Sequence, residues 1–337
     1  MSAADGTGPA TADLATQYRA GHEGAVLTER PDVGRLAIGG RDALDLLHRL
    51  TTNDINGLAP GAGTAAVFTT PKGRILDLVT LHRTAASLLC LCAAGRAVPL
   101  REWIERYTFR EDVIVEDLSA SHGTLGVYGP RAASVLEPVA GPDLSSLPLH
   151  HVREVSVEGQ PATIVRSFPL GGDGFLLTTA SDQLAALRRR LGATSGGAVP
   201  IEPACLEVLR IEAGMPAAGS ELREDFNPWE ARLQDAISLA KGCYVGQEVI
   251  ARLHTYKKVS RMLVRLLIAG DAAPQPGDPL QREGETTGNV TSVAAVPGTG
   301  RIVALGYVRD EDAVAGTEVL AGTGDVRIRT TIEGVAR

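Results

Sequence analysis

Ala240-Lys-Gly-Cys-Tyr-Val-Gly-Gln-Glu-Val-Ile-Ala-Arg252 is the densest run of chemically capable side chains in the chain. Gly242 and Gly246 bracket Cys243, as in a tight loop that feeds a helix. Val249, Ile250 and Leu253 then recur at helical spacing, which predicts a helix starting just after the cysteine. Backbone N–H groups at a helix start carry partial positive charge. With the ammonium of Lys241 nearby, they are expected to lower the pKa of Cys243 from about 8.5 into a range of about 3.5–7.5. A thiolate of that kind can ligate a metal, exchange with a disulfide or sense oxidation. Gln247 and Glu248 fall in the first turn, where they can meet a ligand's polar groups. Arg252, four residues after Glu248, permits a helix ion pair worth about 0.3–0.5 kcal/mol. The alternative reading of the same run is a capped helix that begins with a buried cysteine.

Further along, Arg252, His254, Lys257, Lys258, Arg261 and Arg265 form a cationic tract with no acid between them. It reads either as a groove for an anionic ligand or as a solvated connection into a final domain. The whole chain carries a formal net charge of -7, which argues against bulk electrostatic binding to nucleic acid. Four cysteines in 337 residues do not make a disulfide framework. Cys90 and Cys92, in Leu88-Leu-Cys-Leu-Cys-Ala-Ala94, read as part of a buried strand, since free cysteine is among the most buried residue types. No secretory signal and no apolar run of membrane-spanning length is visible. A soluble, cytoplasmic, monomeric protein is expected.

Upstream, Arg41 to Leu50 has helical spacing. Ala65 to Thr70 and Ile75 to His82 read as a hairpin turned by Pro71-Lys-Gly-Arg74. Asp77 falls in the middle of the second apolar strand. A carboxylate there is either paired and buried, facing a cleft, or on an exposed strand face. Beyond Tyr256, strands separated by Pro/Gly turns suggest a small antiparallel barrel. Helices and strands mix without strict alternation, so the class is α+β.

Lys241-Gly-Cys-Tyr-Val-Gly-Gln-Glu248 resembles the signature segment of the YgfZ family of folate-binding proteins. Leu50-Thr-Thr-Asn-Asp54, Pro71-Lys-Gly-Arg74, Leu209-Arg-Ile-Glu-Ala-Gly-Met-Pro216, Pro228-Trp-Glu-Ala231 and Asp235-Ala-Ile-Ser238 resemble the wider superfamily, which includes the aminomethyltransferase of glycine cleavage. The resemblance implies a three-domain ring around a folate-binding cavity, closed by a C-terminal antiparallel β-barrel. It implies a folate-binding region over 25–118 and 200–255, a second α+β domain over 119–199, and the barrel over 256–337. The small, polar first residues read as a flexible tail, bounded at 1–24, with a short helix expected at Leu14 to Ala20.

It further implies tetrahydrofolate, or a derivative, as cofactor and iron–sulfur proteins, including tRNA-modifying ones, as clients. Cys243 is then the key residue, with Lys241 and Asp77 beside it. Asp77, Arg166, Arg210, Glu230, Tyr244, Gln247, Glu248 and Arg252 become the expected ligand contacts. The alternative implied by the same kinship is a tetrahydrofolate-dependent aminomethyltransferase or related one-carbon transferase. Against that alternative, Gly172 of Phe168-Pro-Leu-Gly-Gly172 stands where the transferase carries a pterin-holding Glu.

Overall fold

The computed structural model describes residues 12–157, 159–193, 196–323 and 327–336. Helix α1 (Leu14–Glu23) precedes β1 (Val26–Glu29) and β2 (Val33–Gly39). Helix α2 (Ala43–Leu50), strands β3 (Gly63–Thr69), β4 (Ile75–Arg83) and β5 (Leu88–Ala93), helix α3 (Ala97–Arg106) and β6 (Ile114–Asp117) follow. The next unit runs through β7 (His122–Gly129), α4 (Ala132–Ala140), β8 (Val152–Val157), β9 (Gln160–Ser167), β10 (Asp173–Ala180), α5 (Leu184–Ala193) and β11 (Val199–Pro200). Helices α6 (Pro203–Glu212) and α7 (Gln247–Tyr256) flank a long irregular stretch. The last strands are β12 (Arg261–Ile268), β13 (Pro279–Arg282), β14 (Glu285–Ala295), β15 (Ile302–Arg309), β16 (Glu318–Ala321) and β17 (Ile328–Val335).

These strands make three structures. A five-stranded sheet has the order β3-β4-β5-β2-β6, a six-stranded sheet has the order β11-β1-β7-β10-β9-β8, and β12-β15-β14-β13-β16-β17 close into a barrel. The class is mixed α and β with an antiparallel C-terminal barrel, as the sequence led us to expect. The hairpin at 71–74 forms as read: Thr70 N–H donates to Arg74 O at 2.9 Å, and the turn joins β3 to β4. The segment expected as a tail up to residue 24 is partly helical. α1 is capped by Asp13, whose side chain accepts from the Thr16 N–H, and it buries Gln17 and Gly21. Residues 1–11 of that segment lie outside the described residues.

Each structure has its own core. α2 and α3 lay Leu46, Leu47, Leu50, Leu100 and Ile104 against the five-stranded sheet. α4 and α5 lay Val135, Leu136, Leu187 and Leu191 against the six-stranded one. The barrel encloses Val264, Leu266, Leu280 and Ile332. Burying such a side chain fully contributes about 1.5–3 kcal/mol. Two further clusters join the units. Leu89, Leu91, Val165, Leu176 and Leu209 hold the two sheets and α6 together. Val67, Ile75, Phe226, Leu305 and Tyr307 hold the barrel to β3, β4 and the irregular stretch, with Phe226 stacked on Tyr307 at 3.7 Å. Cys90 and Cys92 are buried on β5, as expected. Among the described residues, no helix is long and apolar enough to cross a membrane.

Candidate functional site: a cavity where three units meet

The two sheets, α6 and the loop after it leave a cavity of about 370 Å³. Its wall takes Asp77 and Thr80 from β4, Cys92 from β5, Tyr128 from β7, Phe168 from the loop before β10 and Arg210 from α6. Arg30, Asp32, Leu170, Arg210 and Ala217 also line an outer chamber of about 600 Å³. Volumes of a few hundred Å³ with mostly apolar walls and a few convergent polar groups suit a small organic ligand.

Asp77 is the acid of this wall. It lies opposite Phe68 on β3 and is 2% exposed. Its Oδ2 accepts from the Ala93 N–H at 3.1 Å. Burial pushes its pKa from 3.8 up to about 6, against the opposing pull of the Ala93 and Leu78 N–H groups and of Arg96. A carboxylate tuned toward neutrality can take and return a proton near pH 7. Cys92 shares the wall, but burial pushes its thiol up to about 12, so it stays protonated and unreactive.

Arg210 is held by a network. Its Nε donates to Glu207 at 2.8 Å and its Nη2 to Ser292 Oγ at 2.7 Å, while Nη1 lies 3.3 Å from Glu221. Ser292 Oγ in turn donates to Glu221 at 2.7 Å. Burial disfavours the guanidinium charge, and the hydrogen bonds and fields of Glu207 and Glu221 more than offset it, leaving the pKa raised. Glu221 is fully buried, so the network ties the cavity wall to barrel strand β14.

The structure brings together only Asp77 and Arg210 among the residues expected at the site. Arg166 lines a different surface: its Nη2 meets Asp173 at 2.5 Å and its Nη1 meets carbonyls at Ser145 and Leu147. Glu230 is buried in a structural knot. It accepts from the Asn227 N–H at 2.9 Å and from Arg261 Nε at 3.2 Å, joining the irregular stretch to β12. Tyr244 packs in a small core with Ile237, Ile250 and Trp229.

The expectation for the signature run needs correction. Gln247 and Glu248 do open α7, as expected, and its N-cap is Gly246 at φ +85°. A side chain there would also run into Thr69 and Thr70, with a Cβ 2.7 Å from each. Lys241 does not serve the thiol. Its Nζ donates to the carbonyls of His48, Thr51 (2.7 Å) and Asn53 (2.8 Å), capping the C-terminal end of α2. Carbonyl dipoles at a helix end favour such a cation. Burial lowers its pKa to about 8, against the raising field of Asp54. Cys243 is exposed, unlike Cys90, Cys92 and Cys205, and is not in the cavity wall. Tyr244, Gln247, Glu248 and Arg252 are also outside the cavity wall.

Glu248 and Arg252 are both exposed, and the ion pair their spacing permits is not formed among the described residues. The cationic tract divides. Arg261 serves Glu230, Arg265 Nη1 donates to Glu212 O at 3.2 Å, and His254 stacks on Trp229 at 5.0 Å. Arg252, Lys257 and Lys258 stay at the surface.

Gly172 departs from the transferase pattern for a steric reason. A Cβ there would lie 2.5 Å from Pro130 N and 2.7 Å from Gly129 C. No side chain, carboxylate or other, fits this backbone. Sequence reasoning missed Arg30 and Tyr128, which hydrogen-bond to each other in the wall. Arg30 pairs with its neighbour Asp32, Nη2 to Oδ2 at 2.6 Å, and the distant β7 adds Tyr128 as a second partner that its local sequence does not signal.

The comparisons agree with this architecture. A family model described as the GCVT N-terminal domain matches residues 8–241, and one described as the glycine cleavage T-protein C-terminal barrel domain matches residues 261–334. An aminomethyltransferase of Rubrobacter xylanophilus is 33% identical over 311 residues, covering 92% of this chain and 82% of that protein. A chloroplastic protein of Arabidopsis thaliana, provisionally named a transferase, is 29% identical over 315 residues, covering 93% of this chain and 72% of that one. The crystal structure of glycine cleavage system aminomethyltransferase T from Bartonella henselae superposes with a TM-score of 0.85 at 25% identity, covering 95% of this chain and 88% of that one. With both family models matched and the fold shared from α1 to the barrel, this chain belongs to the glycine cleavage T-protein family.

Proposed function

We propose that this protein binds a reduced folate, tetrahydrofolate or a derivative, in the cavity between its two sheets and α6. The observation that carries the reading is Asp77: a buried acid with its pKa near 6 in the wall of a ligand-sized hollow, in a family whose named relatives include aminomethyltransferases. The residues present fit the group. The inner cavity of about 370 Å³ suits a pterin ring, and the outer chamber of about 600 Å³ suits the rest of the molecule. A bound folate supplies a carrier nitrogen for a one-carbon unit. Asp77 holds or moves a proton beside it, Arg210 fixes the mouth between the chambers, and the apolar wall around Phe168 excludes water. The experiment is equilibrium binding of tetrahydrofolate to wild type and Asp77→Ala. Micromolar binding that the variant weakens supports the reading, and no binding by wild type overturns it.

The signature run supports a more specific version, that of a YgfZ-type accessory protein for iron–sulfur proteins acting through Cys243. The exposed position of Cys243 favours it, because a client protein can reach that sulfur directly. Its chemistry is then separate from the folate site. Cys243→Ala is expected to leave folding and folate affinity intact while iron–sulfur enzyme activity in cells falls. Normal activity in such cells would remove this version. The one-carbon transferase reading rests on Asp77 instead, and turnover of an aminomethyl or N-methyl donor with tetrahydrofolate by purified protein would establish it.

A further inference from the structure

Arg232 is half-buried beside the inner end of the cavity, and its side chain has no hydrogen-bond or ion-pair partner among the described residues. It sits in a recess of about 30 Å³ lined also by Asp235, Leu78, Phe168, Met215 and Pro216. The last four of these also line the main cavity, so the recess adjoins its inner end. The Arg232 Nε is buried and has no hydrogen-bond partner. Its backbone holds φ +60°, a left-handed conformation that Gly and Asn adopt far more readily. Turn hydrogen bonds keep it there: Arg232 N–H to Trp229 O at 3.1 Å and Leu233 N–H to Pro228 O at 2.9 Å. Asp235 is exposed at the rim of the recess; its carboxylate has no ion-pair partner among the described residues, and its backbone carbonyl accepts from Asn53 Nδ2 at 3.1 Å. A buried, unpaired guanidinium Nε and an exposed carboxylate therefore stand three residues apart at one small recess. The buried Arg232 Nε without a partner is unfavourable, and a ligand edge entering the recess supplies one, with the Asp235 carboxylate at the rim.

The size decides what enters. About two water-sized groups fill 30 Å³, so the recess admits the edge of a ring and not a ring. We infer that Arg232 and Asp235 recognise the pyrimidine edge of the pterin. The Arg232 guanidinium donates to the 4-oxo group, and the Asp235 carboxylate accepts from the N3–H and 2-amino group. That arrangement gives the ring a carboxylate that the backbone at Gly172 cannot carry. The inference rests on the reduced-folate reading and deepens it.

The test uses the full chain and two ligands: tetrahydrofolate and its 4-amino analogue, which replaces the acceptor facing Arg232 with a donor. Wild type is expected to prefer tetrahydrofolate. Arg232→Asn suits the left-handed backbone, so folding is preserved. It is expected to weaken tetrahydrofolate on the order of tenfold or more while changing the analogue's affinity less than about threefold, erasing the preference. Asp235→Asn is expected to weaken both ligands, because both carry the 2-amino group. Equal losses for both ligands in Arg232→Asn, or no loss, would overturn the inference and leave the folate reading standing. Failure of wild type to bind tetrahydrofolate would overturn both.

Discussion

Replacing Asp77 by Asn should make the ligand-free protein more stable at neutral pH, and the gain should follow a defined pH curve. The acid has a higher pKa folded, about 6, than its ordinary 3.8. A group of that kind favours the folded state fully below its unfolded pKa, and the contribution is lost as pH rises through the folded value. Above pH 6 the protein therefore holds a buried charge that the unfolded chain would solvate. Asn keeps the shape and can still accept from the Ala93 N–H, but it never ionises. Linkage between 3.8 and about 6 gives a stability difference of about 0.5 kcal/mol at pH 4, about 1.6 at pH 5 and about 3 at pH 7. The assay is urea denaturation of both proteins from pH 4 to 8, following the transition of the five-stranded sheet. A difference that stays flat across that range, or an Asn variant less stable at pH 7, would refute the assignment of Asp77 as a desolvated acid. If Asp77 also moves a proton in catalysis, the same variant should lose about 10²–10⁴ in turnover, so stability and activity move in opposite directions.

Lys241→Met should cost about 1–3 kcal/mol, since it strands the carbonyls of His48, Thr51 and Asn53, whereas Cys243→Ser at its exposed position should stay within about 0.5 kcal/mol. Denaturant midpoints of the two variants check this, and equal losses would contradict the separate roles assigned here. Gly172→Glu, which restores the transferase's residue type, should destabilise the chain by about 1–3 kcal/mol through overpacking and gain no folate affinity, because its Cβ would meet Pro130 and Gly129. Thermal unfolding and folate titration decide it, and a stable, tighter-binding variant would show that the backbone yields.

Local features were legible in the sequence. Pro71-Lys-Gly-Arg74 specifies its own turn, the apolar run around Cys90 specifies a buried strand, and the Pro/Gly-punctuated strands after Tyr256 specify a barrel. Asp77 could be singled out because an acid in an apolar strand has few comfortable places. The site as a whole was less legible, because charges close in sequence are sorted by contacts far apart in sequence. Lys241 stands two residues from Cys243, yet its ammonium meets the end of α2 some 190 residues earlier in the chain, through Thr51. Arg261 and Arg265 read as part of one cationic tract, yet each is claimed by a different acceptor, the buried Glu230 carboxylate and the half-buried Glu212 carbonyl. Arg232 offers no signal in the sequence at all. Its importance comes from a turn that forces it left-handed and aims it into a recess.

The hollow at the heart of the molecule has no single owner. β4 and β5 supply one side, β7 and the approach to β10 another, and α6, tied by Arg210 and Ser292 to the barrel, the third. Such a pocket holds its shape only while every seam around it stays shut, and the weakest seam sets its persistence. A bound molecule bridging all sides would act as a keystone, tightening segments that share no covalent neighbour. Ligand capture should then fade at lower denaturant than the secondary structure of any one unit, the arch failing before its stones.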